Sequence, residues 1–353
     1  MTRARDVSRL VTTPPSIYAT DSEASSGYLT LSSASSTYIP LSSPVTGFKN
    51  KIINGSMRFW QRATSFTTPA GAYTADRYKV TQNSTSGTYV VSRQTASLDG
   101  FQYCMRIQRS SGQTATGGIY LGHSMESNDV IPLQGKPLVF SFYARKGSNF
   151  SSSSNIITVQ LLTGTGTDGQ PFASLTNEVA QINQNATLTD SWQRLTYTFT
   201  APSNASELRF NINYAPTGTA STNDYWEITG VQLEIGSTAT EFEHKQYGVE
   251  EQMCFRYFHK SQIKRIKIAN SYVAQPYPFP VPMRTTPALS YTDWASNANR
   301  ITTWNTSDTQ THNNSNFFGA GADVYELYIT PNNNSTGATD IAWGIIFQAS
   351  AEL

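Results

Sequence analysis

The sequence predicts an all-β protein, and three observations carry that prediction. Charged residues make up only 14% of the 353-residue chain while aromatic residues reach 12%, a balance suited to pleated, half-buried surfaces. Apolar–polar alternations of roughly five to nine residues recur between clusters of Gly, Asn, Ser and Pro, the pattern of strands and their turns. Ahead of them lies a segment with a ten-residue period instead. The expected architecture is an extended N-terminal fibrous segment (1–46), a jelly-roll β-sandwich (47–245), one short connecting helix (246–262) and a C-terminal β-sandwich domain with distal loops (263–353). A homotrimer is the expected assembly.

The repeat comes first along the chain. Ala24–Ser32 aligns with Ala34–Ser42 at a period of ten, and Tyr18, Tyr28 and Tyr38 fall in step. Each unit offers one tyrosine and a short apolar patch such as Leu29 and Leu31, too little to bury a face alone. Several chains wound about one axis would supply the missing partners, which predicts a trimeric shaft over roughly residues 15–45. A disordered Ser/Thr linker is the alternative; linkers of that kind do not keep aromatic residues in register.

From Phe48 onward the strands begin. Pro137–Ala144 is strongly apolar. Gln193–Thr200 puts Leu195, Tyr197 and Phe199 on one side, and Glu207–Tyr214 does the same with Leu208, Phe210, Ile212 and Tyr214. Weaker strands are read over Thr88–Gln94, Tyr103–Arg109, Gly118–Gly122 and Ile156–Leu162. Along Asp224–Ile235, Trp226 and Ile228 share one phase while Val231, Leu233 and Ile235 share the other. A β-bulge at Gly230 would return both sets to one buried face.

Tyr247–Gln262 reads as a helix, with Val249, Met253 and Tyr257 at i, i+4 and i+8 and Cys254 and Phe258 widening the stripe. Glu250 and Glu251 stand in its first turn and His259 and Lys260 in its last, as the helix dipole prefers. Gln275–Arg284 carries proline at every second position, so it reads as an edge strand or polyproline segment. Strands return over Tyr325–Ile329 and Ile341–Phe347. Between Tyr291 and Phe318 the strand signals are few, and exposed loops are expected.

Charge and motifs exclude several classes of function. The formal net charge is +1, which leaves no basic face for nucleic acid and no polybasic cluster for anionic lipid. No apolar run approaches the ~20 residues of a membrane span, and Met1–Val7 is not read as a secretory signal. Cys104 and Cys254 read as two buried thiols, and the four histidines (His123, His244, His259 and His312) lack metal-ligand spacing. Gly164–Gly169 matches a dinucleotide fingerprint, but the Gln170-Pro171 that follows is a poor helix start, so a hairpin turn is expected. Asp224, Glu227 and Glu234 are carboxylates on or beside one strand, read as solvent-facing positions or as one ligand of a structural calcium ion rather than as a glycosidase pair. No catalytic residue, resident metal or cofactor is assigned.

Asn50–Arg62, Tyr73–Tyr78 and Ile228–Gly236 resemble motifs of bacteriophage tail-fibre and related virion proteins, in which a carbohydrate-binding-module-like jelly roll opens and closes with similar segments. The spacing of Glu250, Cys254, Arg256 and Tyr257 is similar to a segment that follows the jelly roll in many phage tail proteins, with Phe258 in place of a second tyrosine. The resemblance implies a non-enzymatic homotrimeric virion fibre that attaches to host-surface polysaccharide. Its N-terminus, with Arg3 and Arg5 ahead of the tyrosine shaft, would dock onto a phage tail, adaptor or neck protein. A neck or capsid decoration fibre and a secreted polysaccharide-degrading enzyme are the alternatives. Rings that stack on sugars beside amides that bond hydroxyls point to Tyr291, Trp294, Trp304, His312 and Asn313 as ligand-binding residues, among Asn297, Asn299 and Asp308; core packing is the competing role for both tryptophans.

Overall fold

A computed structural model describes residues 47–83, 87–266, 275–296, 298, 300–305, 309–313, 318–331 and 340–353. The chain divides into two compact units, Met1–Phe48 and Lys49–Leu353. The proposed shaft, with Arg3, Arg5, Tyr18, Tyr28 and Tyr38, lies outside the described residues.

Twelve strands build the first sandwich: β1 (Ser65–Thr67), β2 (Ala72–Tyr73), β3 (Lys79–Gln82), β4 (Tyr89–Leu98), β5 (Phe101–Arg109), β6 (Ile119–Met125), β7 (Pro137–Lys146), β8 (Ile156–Gly164), β9 (Val179–Thr187), β10 (Gln193–Thr200), β11 (Glu207–Tyr214) and β12 (Tyr225–Ile235). They form two six-stranded antiparallel sheets. Sheet I runs β1-β4-β5-β12-β7-β10 and sheet II runs β2-β3-β6-β11-β8-β9. Alternation supplies the core between them. Val91, Ile107, Phe140, Phe142, Trp226 and Ile228 of sheet I meet Val80, Leu121, Val159, Leu161, Phe210 and Ile212 of sheet II in one buried cluster. Burying side chains of this size stabilises the fold by about 1.5–3 kcal/mol each.

The phase slip in β12 is a bulge, as the sequence predicts. Its register against β7 shifts between Thr229 and Gln232, and Gly230 adopts a φ of 62°. A Cβ there would meet the rings of Phe101 and Tyr143 at 2.8 Å. Trp226, Ile228, Val231 and Leu233 are all buried as a result, whereas Ile235, expected on the same face, is exposed at the end of the strand.

The three motifs that open and close the sandwich interlock through hydrogen bonds. Asn50 Nδ2 donates to Val231 O, while Asn50 Oδ1 accepts from the backbone of Ile52 and Leu233. Asn54 Nδ2 donates to Phe59 O and Asp76 O, and Asp76 accepts from both the backbone and side-chain N–H of Gln61. These bonds tie the segment ahead of β1 to the end of β12 and to Asp76.

The helix is shorter than the sequence suggests. Two α-helices occur among the described residues, α1 (Ser127–Val130) and α2 (Tyr247–Phe255), and Phe258–Ile266 is a strand, β13. The expected helix over 246–262 is corrected accordingly, and the second β region starts at Phe258 rather than 263. The apolar spacing reached Tyr257 and Phe258, but nine residue pairs with β20 (Asp340–Ser350) claim the backbone of β13 instead. Inter-strand pairing outweighs a weak local helical preference. Within α2 the buried residues are Glu250 and Cys254, and Glu250 Oε1 accepts from the backbone of Asn54.

The remaining strands are β14 (Gln275–Pro278), β15 (Ala288–Thr292), β16 (Arg300–Asn305), β17 (Thr309–Asn313), β18 (Phe318–Ala322) and β19 (Glu326–Pro331). One sheet runs β13-β20-β16-β17 with β15 on β20, and a second runs β14-β19-β18. The proline-rich β14 is an edge strand, as its missing donors require. The loops expected between Tyr291 and Phe318 are in large part strands β15, β16 and β17. Asn- and Thr-rich strands pair through backbone groups, so apolar alternation does not reveal them. Ile263, Phe279, Leu327, Ile345 and Phe347 form their core.

The C-terminal residues join this region to the sandwich. Glu352 pairs with the buried guanidinium of Arg77 and, at 3.2 Å, with Arg62. Tyr73 Oη donates to Leu353 O at 2.6 Å, and the Arg77 guanidinium lies 3.5 Å from the ring centre of Tyr257. Arg256 holds both oxygens of Glu126 at 2.7 Å. No helix of the described residues is long and apolar enough to cross a membrane.

Candidate functional site

The side chains that point out of sheet II follow from its register. Against the inward phase of Leu208, Phe210, Ile212 and Tyr214, the outward phase of β11 presents Arg209, Asn211 and Asn213. Asn211 stands opposite Gln160 of β8 and Gly122 of β6, and Gln160 stands opposite Asn183 of β9. The next rung reads Asn185, Thr158, Asn213 and Tyr120. Amides and a hydroxyl thus cross three strands in two rows, ending at an aromatic ring. Asn183 and Asn185 are exposed, while Thr158, Gln160, Asn213 and Tyr120 are half-buried. Strands lie about 4.8 Å apart.

Asn211 is the centre of this face. It is 7% exposed, and its Oδ1 has no hydrogen-bond partner. A buried carbonyl oxygen without a donor carries a desolvation cost of about 1–3 kcal/mol. Beside it, a Cβ on Gly122 would stand 2.7 Å from the ring of Phe172 and 3.0 Å from Asn211 Oδ1. Only glycine lets that ring lie against the sheet. Phe172 and Tyr120 meet edge-on at 6.4 Å between centroids, giving an aromatic border to the amide rows.

Phe172 comes from the long loop between β8 and β9, whose first glycines mimic the dinucleotide fingerprint. The expected hairpin connection is present, with no helix after it. Its glycines make room for a carboxylate instead: added Cβ atoms on Gly166 and Gly169 would meet Glu207 at 2.9 and 2.8 Å. Glu207 Oε2 accepts from the backbone of Gly166 and Thr176, and Arg209 holds the carbonyl of Ala173 and the carboxylate of Glu178. Reciprocal bonds between Ser127 and Asp168 complete the anchorage. The loop therefore fixes Phe172 over the sheet.

The three strand carboxylates are structural. Asp224, Glu227 and Glu234 are 0–1% exposed, which corrects the expectation that they face solvent. Asp224 bonds Arg109 and the backbone of Ser151; Glu227 bonds Arg106 and Arg145; Glu234 accepts from Gln232 and Thr240. A buried carboxylate requires such partners, and alternation alone could not reveal that they existed. No group of three or more His, Cys, Asp or Glu residues able to hold a metal ion occurs among the described residues. Cys104 and Cys254 are free and buried, and burial pushes the Cys104 thiol up to about 12.

The distal residues lie on three strands and the turn after β15. Tyr291, opposite Phe347, packs half-buried against the C-terminal core, and Trp294 is 44% exposed in the turn after β15. Trp304 lies in β16 opposite Thr309 and Ala342; Asn313 and His312 lie in β17 opposite Arg300 and Ile301. Register puts Trp304 and Asn313 in one phase of the ladder and His312 in the other. Asn297, Asn299 and Asp308 lie outside the described residues. The amide face was missed because β9 alternates weakly; the polar phase of Thr158, Gln160, Asn211 and Asn213 was the signal available in the sequence.

No protein-family model and no curated protein matches the sequence. Among solved structures, the enzymatically active domain of tailspike protein 4 of bacteriophage CBA120 is similar over 53% of this chain and 22% of that one, at 12% identity and a TM-score of 0.34. A CBM4 structure is similar over 52% of this chain and 98% of its own, at 19% identity and 0.32. TmCBM61 in complex with β-1,4-galactotriose is similar over 54% of this chain and 100% of its own, at 11% identity and 0.33. These are likenesses in chain course over about half of the chain.

Proposed function

We propose that this chain binds polysaccharide through the outward face of sheet II, as a non-enzymatic homotrimeric fibre of a phage particle that attaches to the host surface. The observation that carries the reading is the pair of polar rungs, with Asn183 and Gln160 in one and Asn185, Thr158 and Asn213 in the other, open to solvent on one face. Neutral hydroxyls suit those rungs, because amides both donate and accept, and the rings of Tyr120 and Phe172 offer apolar surface to a pyranose. Binding without cleavage is supported by the full engagement of Asp224, Glu227 and Glu234 in the fold. The fibre and its trimer rest on the ten-residue tyrosine repeat and the resemblance of the closing motifs.

The test is titration of neutral polysaccharides, including those of host envelopes, into the full chain. Gln160→Ala combined with Asn185→Ala should weaken binding about ten-fold or more, since each lost hydrogen bond is worth about 1 kcal/mol. Unchanged affinity would move the site off sheet II, and Trp294→Ala and Trp304→Ala then decide for the distal residues. Light scattering tests the assembly: three times 38.8 kDa supports the fibre, and a monomer removes it.

A further inference from the structure

The opposite face of the sandwich carries a second, chemically different surface. In the outward phase of sheet I, Ser65 faces Ser92, Ser92 faces Arg106, Arg106 faces Glu227, and Glu227 faces Arg145. One row thus spans five strands. Glu227 is fully buried between the two arginines, whose side chains remain 24% and 22% exposed. Arg106 Nη2 lies 2.6 Å from Glu227 Oε1, and Arg145 Nε lies 2.6 Å from Glu227 Oε2. Glu227 is the hydrogen-bond partner of both among the described residues. Two guanidinium groups bring ten N–H donors to one carboxylate, so donors are left over and the row keeps one net positive charge.

Both arginines are held flat by rings. The Arg106 guanidinium lies 3.8 Å from the ring centre of Tyr225, and that of Arg145 lies 4.8 Å from Trp192. Trp192 is itself fixed by a 2.8 Å bond from Nε1 to Ala96 O. Next to Ser92 in that row a groove of about 490 Å³ runs between β1, β4 and β5, lined by Ser65, Ser92, Arg93, Gln94, Gln108 and Arg109. A stacked, half-exposed guanidinium with spare N–H groups matches the bidentate geometry of an oxyanion.

We infer that this face is a second binding site, for an anionic polysaccharide: Arg145 and Arg106 take a carboxylate or sulfate of the chain, Trp192 and Tyr225 flank the charged sugar, and the groove beside them, with Arg93 in its wall, takes the neighbouring sugar. The site goes beyond the sheet II reading and stands if that reading fails.

The test uses the full chain and four probes: hyaluronan fragments, the same fragments with their carboxyls reduced, dextran sulfate and dextran. A polyanion should bind, reduced hyaluronan and dextran should not bind here, and raising salt from about 50 mM to about 500 mM should weaken binding at the half-exposed arginines. Binding of hyaluronan assigns the charge to carboxylate; binding of dextran sulfate alone assigns it to sulfate. Arg145→Gln should weaken the polyanion about ten-fold or more. Because Arg106→Gln by itself unbalances a buried carboxylate, it is paired with Glu227→Gln, which should lose binding while keeping the thermal transition. A fluorescence change on binding that disappears in Trp192→Phe locates the ligand. The Gln160→Ala, Asn185→Ala variant should bind the polyanion as wild type, which separates the two faces. Failure of both polyanions to bind, or wild-type affinity in both arginine variants, overturns the site.

Discussion

Two arginine–carboxylate contacts join the same pair of strands three residues apart, and they solve opposite problems. Arg109 and Asp224 are 1% and 0% exposed and meet at 2.9 Å. Arg109 also donates to Ser151 Oγ and to the carbonyls of Gln113, Ala115 and Gly218. One cation meets one anion there, and backbone oxygens take the remaining donors. Three residues along each strand the alternation has turned the other way, and Arg106 meets Glu227 on the outer face. That carboxylate is shared with Arg145 and both cations reach solvent. A saturated, dry ion pair ties loops together; an undersaturated, half-wet one is chemistry held open to solvent.

The largest effect that could break this comparison is on stability. Arg109→Ala leaves Asp224 buried without its counter-charge and strips three carbonyls of a donor, so it should cost about 3–5 kcal/mol in denaturant unfolding. Arg145→Gln leaves the buried Glu227 with Arg106 as its counter-charge and should cost less, about 1–3 kcal/mol. Equal costs would mean that both contacts are structural.

A smaller effect comes from further along β12. Gly230→Ala places a Cβ against Phe101 and Tyr143 in a left-handed backbone conformation, and about 1–3 kcal/mol is expected. The bulge keeps Trp226 and Leu233 on one buried side, so this variant tests whether the phase that exposes the Arg106 row depends on it. A melting temperature equal to wild type would show that it does not.

Buried titratable groups should respond to pH. His259 is buried, and burial lowers it from 6.5 to about 4. The unfolded chain binds that proton more readily, so stability is lost as pH falls from about 6.5 towards 4. Burial pushes Asp76 the other way, from 3.8 up to about 6; its contribution is lost as pH rises through 6 and regained on acidification. Thermal melts across this window should therefore flatten for His259→Phe and steepen for Asp76→Asn. His123, stacked on Phe210 with neither ring nitrogen bonded, is held well below its ordinary range by burial and acts in the same direction as His259. The smallest effect is that of Asn185→Ala on stability, within about 0.5 kcal/mol, because Asn185 is exposed and its side chain accepts a hydrogen bond from Thr158.

How far the sequence could be read differs between these elements for a physical reason. Alternation in Glu207–Tyr214 and the slip at Gly230 each report a single buried face, so they could be read directly. Gln275–Pro278 announced an edge because proline lacks a donor. The same alternation gave the wrong environment for Glu227: its outward phase suggested water, but burial depended on Arg106 and Arg145 arriving from two other strands. The amide face was partly legible, since Asn211 and Asn213 stand in the polar phase of a clear strand. Asn183 and Asn185 join them only because β9 pairs with β8 in one register.

The amino-acid sequence by itself determined the all-β class, the bulge, the hairpin in place of a nucleotide loop and the free thiols, because each depends on local geometry or composition. The end of α2 at Phe255, the strands β15 to β17 and the two outward faces were decided by tertiary structure. Backbone pairing with a distant strand, and charges brought together across three strands, are long-range events. No window of neighbouring residues contains them.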